Sequence, residues 1–248
     1  MTLAAERIKL TTTRSPLWSA VGVVTLSLFF AVVQAAAANY SRQPLGPDRA
    51  VIGVSMFGVP VLMILAAMTV TGEYRTGLIR TTFMATPNRT RVLVEKALVS
   101  AAFAGALTVV TVIAAIGVAR LRTNEVTGAL LSWSDPATWR LVGAIGVYAV
   151  LGAILAVGLG AVLRHAAGVT ALLLMLPFVI EPLIGSTPNI GPRIGPLLPF
   201  ANAFIFAEVP FLQAYEMWWG PAGSLLYFAA VVGVVFLAGV VAVNRRDP

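Results

Sequence analysis

Apolar residues along the chain form six blocks, each about as long as a helix that crosses a bilayer. A helix rises about 1.5 Å per residue, so about 20 apolar residues cover roughly 30 Å of hydrocarbon. Five blocks contain no Asp, Glu, Lys or Arg, and the remaining one contains only Glu181. The pattern predicts an all-α polytopic membrane protein, one transmembrane domain over 1–248. Its predicted spans are 17–38, 51–71, 97–119, 141–163, 166–184 and 222–243.

The solid apolar runs also separate this chain from a transmembrane β-barrel, whose strands alternate apolar and polar residues. The first block has an alternative interpretation as a secretory signal peptide, because Ala35-Ala36-Ala37 resembles a cleavage site. Since 17–38 is longer than the usual signal core of about 7–15 residues, we favour an uncleaved span. A short interfacial helix over 1–16, ended by Pro16, is expected before it, with a plain basic flank as the alternative.

Composition and charge support the membrane assignment and indicate an orientation. Hydrophobic residues make up 58% and charged residues 11% of the chain, against roughly 45–50% and 25% in soluble proteins. Acids and arginines cancel on one side of the predicted membrane, so the net charge of +7 lies on the side that carries both termini. The basic residues on that side are Arg7, Lys9, Arg14, Arg75, Arg80, Arg89, Arg91, Lys96, Arg164, Arg245 and Arg246.

Short cytoplasmic loops keep an excess of Lys and Arg, so both termini are predicted to be cytoplasmic, in a multi-pass protein of the cytoplasmic (inner) membrane. The positive face would attract anionic membrane lipid. The basic residues are spread over four juxtamembrane segments and form no single stripe, so we expect no nucleic-acid partner.

The polar loop between the second and third spans is the most informative segment. Apolar residues at i, i+4 spacing predict a helix over 73–84, with Ile79 and Phe83 beside a basic face of Arg75 and Arg80. Exposed apolar residues on the cytoplasmic side need a partner, and a docked soluble protein is the natural candidate. A solvated basic hairpin is the alternative.

The segment 185–221 carries closely spaced prolines, yet it is too aromatic for a solvated loop. We expect re-entrant helices that dip into the outer leaflet, with Trp218 and Trp219 at the headgroup level. Glu181, before this segment, is the one acid within a predicted span. It is a candidate for the substrate path together with Pro177, which is expected to kink the fifth span; a solvated helix end is the alternative.

No catalytic constellation is evident, so the chain is not expected to be an enzyme. The single histidine, His165, lies in a predicted turn, and there is no cysteine. Lys9 and Lys96 are the only lysines, and neither follows a glycine, which excludes a G-x-x-x-x-G-K-[ST] phosphate loop. We therefore predict no catalytic, cofactor-binding or metal site within this chain.

The 72–96 loop resembles that of the type-2 ABC-transporter permeases, the membrane subunits of a large exporter family. The matching positions are Glu73, Gly77, Leu78, Ile79, Thr81, Pro87, Arg91 and Lys96. The architecture agrees along nearly the whole chain, from the helix before the first span to the re-entrant segment before the sixth. The strong preference for arginine over lysine is similar to that of actinobacterial permeases.

The resemblance implies a permease subunit that exports amphipathic small molecules, such as a drug, antibiotic or lipid. A separately encoded ABC ATPase would bind ATP and Mg, and a second permease chain, identical or a sister subunit, would complete the path. The resemblance assigns coupling to the ATPase to Glu73, Tyr74, Arg75, Leu78, Ile79, Arg80 and Phe83. From the residues alone, a secondary carrier or channel, or a non-transporting assembly or sensor protein, stays open.

Overall fold

The computed structural model describes residues 14–211 and 214–245, whose regular structure is helical with no β-strand. Six of its helices are long and apolar enough to cross a membrane. In chain order, span 1 to span 6 are Pro16–Ser41, Val54–Thr76, Arg89–Arg122, Pro136–Leu163, Ala166–Ser186 and Pro221–Arg245. The chain is a multi-pass membrane protein, as its apolar blocks predict.

The helices extend beyond the predicted apolar blocks. Span 3 runs from Arg89 to Arg122 and is longer than the predicted span 97–119, because polar residues continue the helix at both ends of the apolar stretch. Arg91 and Glu95 there form an i,i+4 ion pair of 2.9 Å. The helix of span 1 is described from Arg14, so Pro16 lies in its first described turn. A proline's fixed φ is compatible with helical geometry. The rest of the predicted interfacial helix lies outside the described residues.

Two spans contain a π-helical turn. Span 2 begins with the π-helix Val54–Gly58 and continues as the α-helix Val59–Thr76. Span 5 consists of an α-helix, a π-helix and an α-helix: Ala166–Met175, Leu176–Ile180 and Glu181–Ser186. Pro177 lies in the π-helix of span 5, where its missing N–H interrupts the regular hydrogen-bond ladder.

Short helices connect the spans. Leu78–Ala85, between spans 2 and 3, is called the junction helix, and Pro199–Phe206, before span 6, is called the cap helix. The others are Pro47–Ala50, Gly191–Ile194 and the 3₁₀ turn Gly195–Leu197. Short helices therefore occupy part of the segment 185–221, and their entry into a bilayer stays a prediction.

Span 4 lies at the centre of the bundle. It packs against spans 2, 3 and 6, and 72% of its most apolar stretch is buried. Span 1 packs on spans 2 and 3, and span 5 contacts mainly span 2. Only 22% of the corresponding stretch of spans 1 and 5 is buried within the chain, so most of their surface faces outward.

Hydrogen bonds between span ends identify two faces of the bundle. Asn39 Nδ2 donates to the Arg122 carbonyl at 2.8 Å, which places the ends of spans 1 and 3 together on the far face. At the opposite end, Arg89 and Arg164 donate to carbonyl groups near the end of span 6. This second face, where span 1 begins and span 6 ends, is called the terminal face.

Spans 4 and 6 approach each other through glycines. A Cβ atom at Gly239 would lie 2.9 Å from the Gly158 carbonyl oxygen and 3.1 Å from its Cα. Backbone atoms cannot rotate away, so Gly239→Ala is expected to force the helices apart and destabilise the protein by about 1–3 kcal/mol. The midpoint of thermal unfolding in detergent measures the change.

Gly233, on the same span, is the matched control. No heavy atom lies within 4 Å of a Cβ built there, so Gly233→Ala gains helix propensity without a clash. Its unfolding midpoint should equal or exceed that of the wild type. An equal midpoint for the two alanine variants would contradict the close packing of spans 4 and 6.

Candidate functional site

A sharp corner on the terminal face connects span 2 to the junction helix. Gly77 has a φ of 72°, the left-handed conformation that glycine adopts most readily, and it ends the preceding helix at Thr76. The predicted continuous helix over 73–84 is therefore wrong: Glu73 belongs to the last turn of span 2, and a separate helix starts at Leu78. Asn88 caps the start of span 3, as its side chain accepts from the Arg91 N–H at 2.9 Å.

A buried ion pair holds this corner together. Lys96 Nζ of span 3 lies 2.6 Å from Glu73 Oε1 of span 2, and only 2% and 10% of their side chains are exposed. Thr82 Oγ1 of the junction helix donates to Glu73 Oε2 at 3.3 Å. Charges so well removed from water are tolerated when they are paired and hydrogen-bonded. The pair thereby fixes three consecutive helices relative to one another.

The junction helix turns its apolar side inward, which corrects the expectation that Ile79 and Phe83 are exposed. Both are buried, 4% and 9% exposed, because they pack against the ends of spans 2, 3 and 6. Leu78 and Met84 are instead exposed, at 56% and 74%. The outward surface is called the docking surface, and its members are Arg75, Leu78, Arg80, Thr81 and Met84.

Two arginines connect this corner to span 6. Arg89 Nη1 donates to the Val243 carbonyl at 3.0 Å, and Arg164 Nη2 donates to the Ala242 carbonyl at 3.2 Å. Arg164 also lies over the ring of Tyr74, a residue of the predicted coupling set that is half-buried at the end of span 2. From the sequence alone, both arginines serve only as positive charges that indicate the orientation of the chain in the membrane. Their hydrogen-bond partners cannot be predicted, because they lie 154 residues from Arg89 and 78 residues from Arg164.

Glu181 is buried, 4% exposed, so a solvated helix end is the wrong interpretation of it. Its two carboxylate oxygens accept the Phe200 N–H at 2.9 Å and the Ala201 N–H at 2.7 Å. The first residue of the cap helix is Pro199, which has no N–H, so these are the first two free donors of that helix. A carboxylate at a helix N-terminus also interacts favourably with the helix dipole. Glu181 thus caps a helix that follows it in the chain.

A cavity of about 10 Å³ adjoins Glu181, roughly the space of one water molecule. Its lining residues are Pro177, Glu181, Pro182, Ala201, Phe204, Phe211 and Tyr215. Burial raises the pKa of the Tyr215 phenol to about 12, and the charge of Glu181 adds to the rise. Tyr215 is therefore protonated at neutral pH. The structure brings Pro177 and Glu181 to one cavity, but the cavity is too small for a drug-sized molecule.

His165 has a local structural contact. Its Nδ1 accepts from the Gly168 N–H at 3.2 Å, which caps the first turn of span 5. Within residues 14–211 and 214–245, no three His, Asp or Glu side chains form a group that could hold a metal ion.

Comparisons with known proteins give no family. No family model matches the chain, and no curated protein matches it with significant similarity.

Proposed function

We propose that this protein is the membrane-spanning subunit of an ATP-driven exporter, similar to the type-2 ABC permeases. The supporting observation is the junction helix: it is pinned by Glu73, Thr82 and Lys96, yet it presents Leu78 and Met84 outward. A fixed helix with an exposed apolar edge at a membrane face is suited to docking a soluble protein. Two of its three pinning residues, Glu73 and Lys96, are positions on which the family resemblance rests.

In this proposal the terminal face is cytoplasmic and the docking surface binds a separately encoded ABC ATPase. That subunit binds ATP and Mg and supplies the energy. Arg75 and Arg80 add positive charge around the apolar edge of the surface. A groove in the ATPase with acidic side chains would therefore complement it electrostatically.

A second permease chain, identical or a sister subunit, completes the transporter. The outward surfaces of spans 1 and 5 are available for it and for membrane lipid, because little of either span is buried within one chain. The substrate class is an amphipathic small molecule, such as a drug, an antibiotic or a lipid. Apolar, weakly charged spans suit such a cargo better than a small ion.

The double variant Leu78→Asp/Met84→Asp tests the docking surface. Both side chains are exposed, so the changes leave the fold intact while placing two charges in an apolar contact. We expect binding to the ABC ATPase encoded by a neighbouring gene to weaken about tenfold or more, the usual scale for a central interface residue. Co-purification and ATPase stimulation in proteoliposomes measure the loss.

Val126→Asp is the matched control, since Val126 is a similarly exposed apolar residue on the far face. It should leave ATPase binding unchanged. Ile79→Asp is unsuitable as a docking probe, because it would place a charge in the core of the chain. Undiminished association of the Leu78/Met84 variant would show that the docking surface is assigned wrongly.

A further inference from the structure

The end of span 6 is held by side chains from two other spans. Arg89, at the start of span 3, and Arg164, just after span 4, donate to the consecutive carbonyls of Val243 and Ala242. Cationic groups near the carbonyls of a helix C-terminus are favourable, because the helix dipole is negative there. Asn244 Nδ2 adds a hydrogen bond of 2.9 Å to Thr90 Oγ1 of span 3. The last turn of span 6 is thus attached to the terminal face at three points.

The same two arginines contact aromatic rings that belong to the corner. The guanidinium carbon of Arg89 lies 5.1 Å from the ring centroid of Phe83 in the junction helix. That of Arg164 lies 4.6 Å from the ring centroid of Tyr74 at the end of span 2. Both distances are within the range of a cation–π interaction, about 6 Å. Each arginine therefore bridges the corner to span 6.

Span 6 is attached to the cap helix region at its other end. Tyr227 donates to the Leu197 carbonyl at 2.7 Å, and the rings of Phe228 and Phe200 lie 6.0 Å apart. Trp219, just before span 6, donates to Asn202 of the cap helix at 2.8 Å. These contacts tie the start of span 6 to the cap.

Between these attachments, span 6 is one uninterrupted α-helix of 25 residues, about 37 Å long. Spans 2 and 5 each contain a π-helical turn, which allows local bending. Span 6 contains no such turn, and its only proline is the first residue. A continuous helix transmits a displacement applied at one end to the other.

We infer that span 6 transmits movement of the junction helix to the cap, and that Arg89 and Arg164 are the positioning residues that make the connection. The inference rests on the proposed function, because the docked ATPase supplies the force that moves the junction helix. It adds a route across the membrane to the far face, where the cap helix is held.

Site-directed spin labels can follow this route, because the chain contains no cysteine. One label is placed at Ile194 near the cap and one at Leu121 at the far end of span 3, both exposed. In the complete complex with its ATPase, ATP binding should change the distance between the labels. The change should be smaller in Arg89→Gln and in Arg164→Gln, and absent in the double variant, while the ATPase still co-purifies.

Arg245→Gln is the matched control: Arg245 ends the same span but is exposed, so the distance change should persist. In the double variant, a disulfide formed between Thr90→Cys and Asn244→Cys before spin labelling should restore the change, since the native side chains at these positions are hydrogen-bonded. A purely structural role for the arginines predicts no such restoration.

The outcomes separate the two proposals. If the unmodified chain neither binds the ATPase nor responds to ATP, the proposed function fails. If it does both, and each single arginine variant keeps the full distance change, the inference is overturned, whether or not the double variant folds. Failure of the disulfide to restore the change in a folded double variant would also overturn it.

Discussion

Replacing Lys96 with methionine is expected to destabilise the protein by about 3–5 kcal/mol, the cost of breaking a buried ion pair by removing one of its members. Lys96 and Glu73 are 2.6 Å apart and almost fully removed from water. Methionine fills similar space but supplies no charge, so Glu73 keeps the hydrogen bond from Thr82 and loses the ion pair with Lys96. Because the pair fixes the corner, the junction helix should loosen as well. Thermal unfolding in detergent, followed by circular dichroism, measures the change.

The double variant Glu73→Gln/Lys96→Met should recover most of this loss, because it removes both charges together. The introduced glutamine would still accept from Thr82, so the corner keeps one polar contact. Arg140→Met is the control for losing a cation: Arg140 pairs with Glu208 on the far face, and both side chains are nearly half exposed. Such a pair contributes about 1 kcal/mol or less. If Lys96→Met and Arg140→Met unfold at the same temperature, the buried pair does not stabilise the corner as described.

The six spans are predictable from the sequence because their signal is local. A run of about 20 apolar residues satisfies the length requirement without reference to any other segment. The ends of the helices are not fixed by that signal, since helical hydrogen bonding continues into polar residues. Span 3 shows this most clearly, running from Arg89 to Arg122 around an apolar block of 97–119.

The corner is predictable only in part. The i, i+4 pattern correctly indicates a helical apolar face, but it runs across Gly77, whose left-handed conformation divides the helix in two. A glycine after a helical run is itself a known end signal and carries the missing information. The pattern also cannot say what covers Ile79 and Phe83. Val243, which lines one small cavity together with both residues, is more than 150 residues away in the chain.

Glu181 illustrates a limit of a different kind. Its position near the end of an apolar block suggests access to water, and nothing in that block indicates otherwise. Its partners are backbone N–H groups of the cap helix, 19 and 20 residues further on. Backbone donors carry no sequence signature, so only the folded chain shows that this carboxylate is a cap.

Replacing Glu181 with leucine is expected to release the cap helix, at a cost of about 2–6 kcal/mol. The change leaves the Phe200 and Ala201 N–H groups without their acceptor, and each unsatisfied buried group costs about 1–3 kcal/mol. Ala203, on the cap helix, is only 1% exposed, so a cysteine placed there reports the release. We expect a membrane-impermeant maleimide to label Ala203→Cys about thirtyfold faster or more in the Glu181→Leu background, because labelling follows the open population.

Two further variants give a graded test of the same bonds. Glu181→Gln keeps one carbonyl oxygen, so one of the two N–H groups retains an acceptor and labelling should be intermediate. Glu208→Leu removes an exposed far-face glutamate that pairs with Arg140, and labelling should stay close to that of the unmodified background. The labelling rate is expected to fall in the order Glu181→Leu, Glu181→Gln, Glu208→Leu. These variants leave two, one and no cap-helix N–H groups without an acceptor. Equal labelling of the leucine and glutamine variants would mean that charge, rather than the two hydrogen bonds, holds the cap. Unchanged labelling in Glu181→Leu would mean that Trp219 and Tyr227 hold it without the carboxylate.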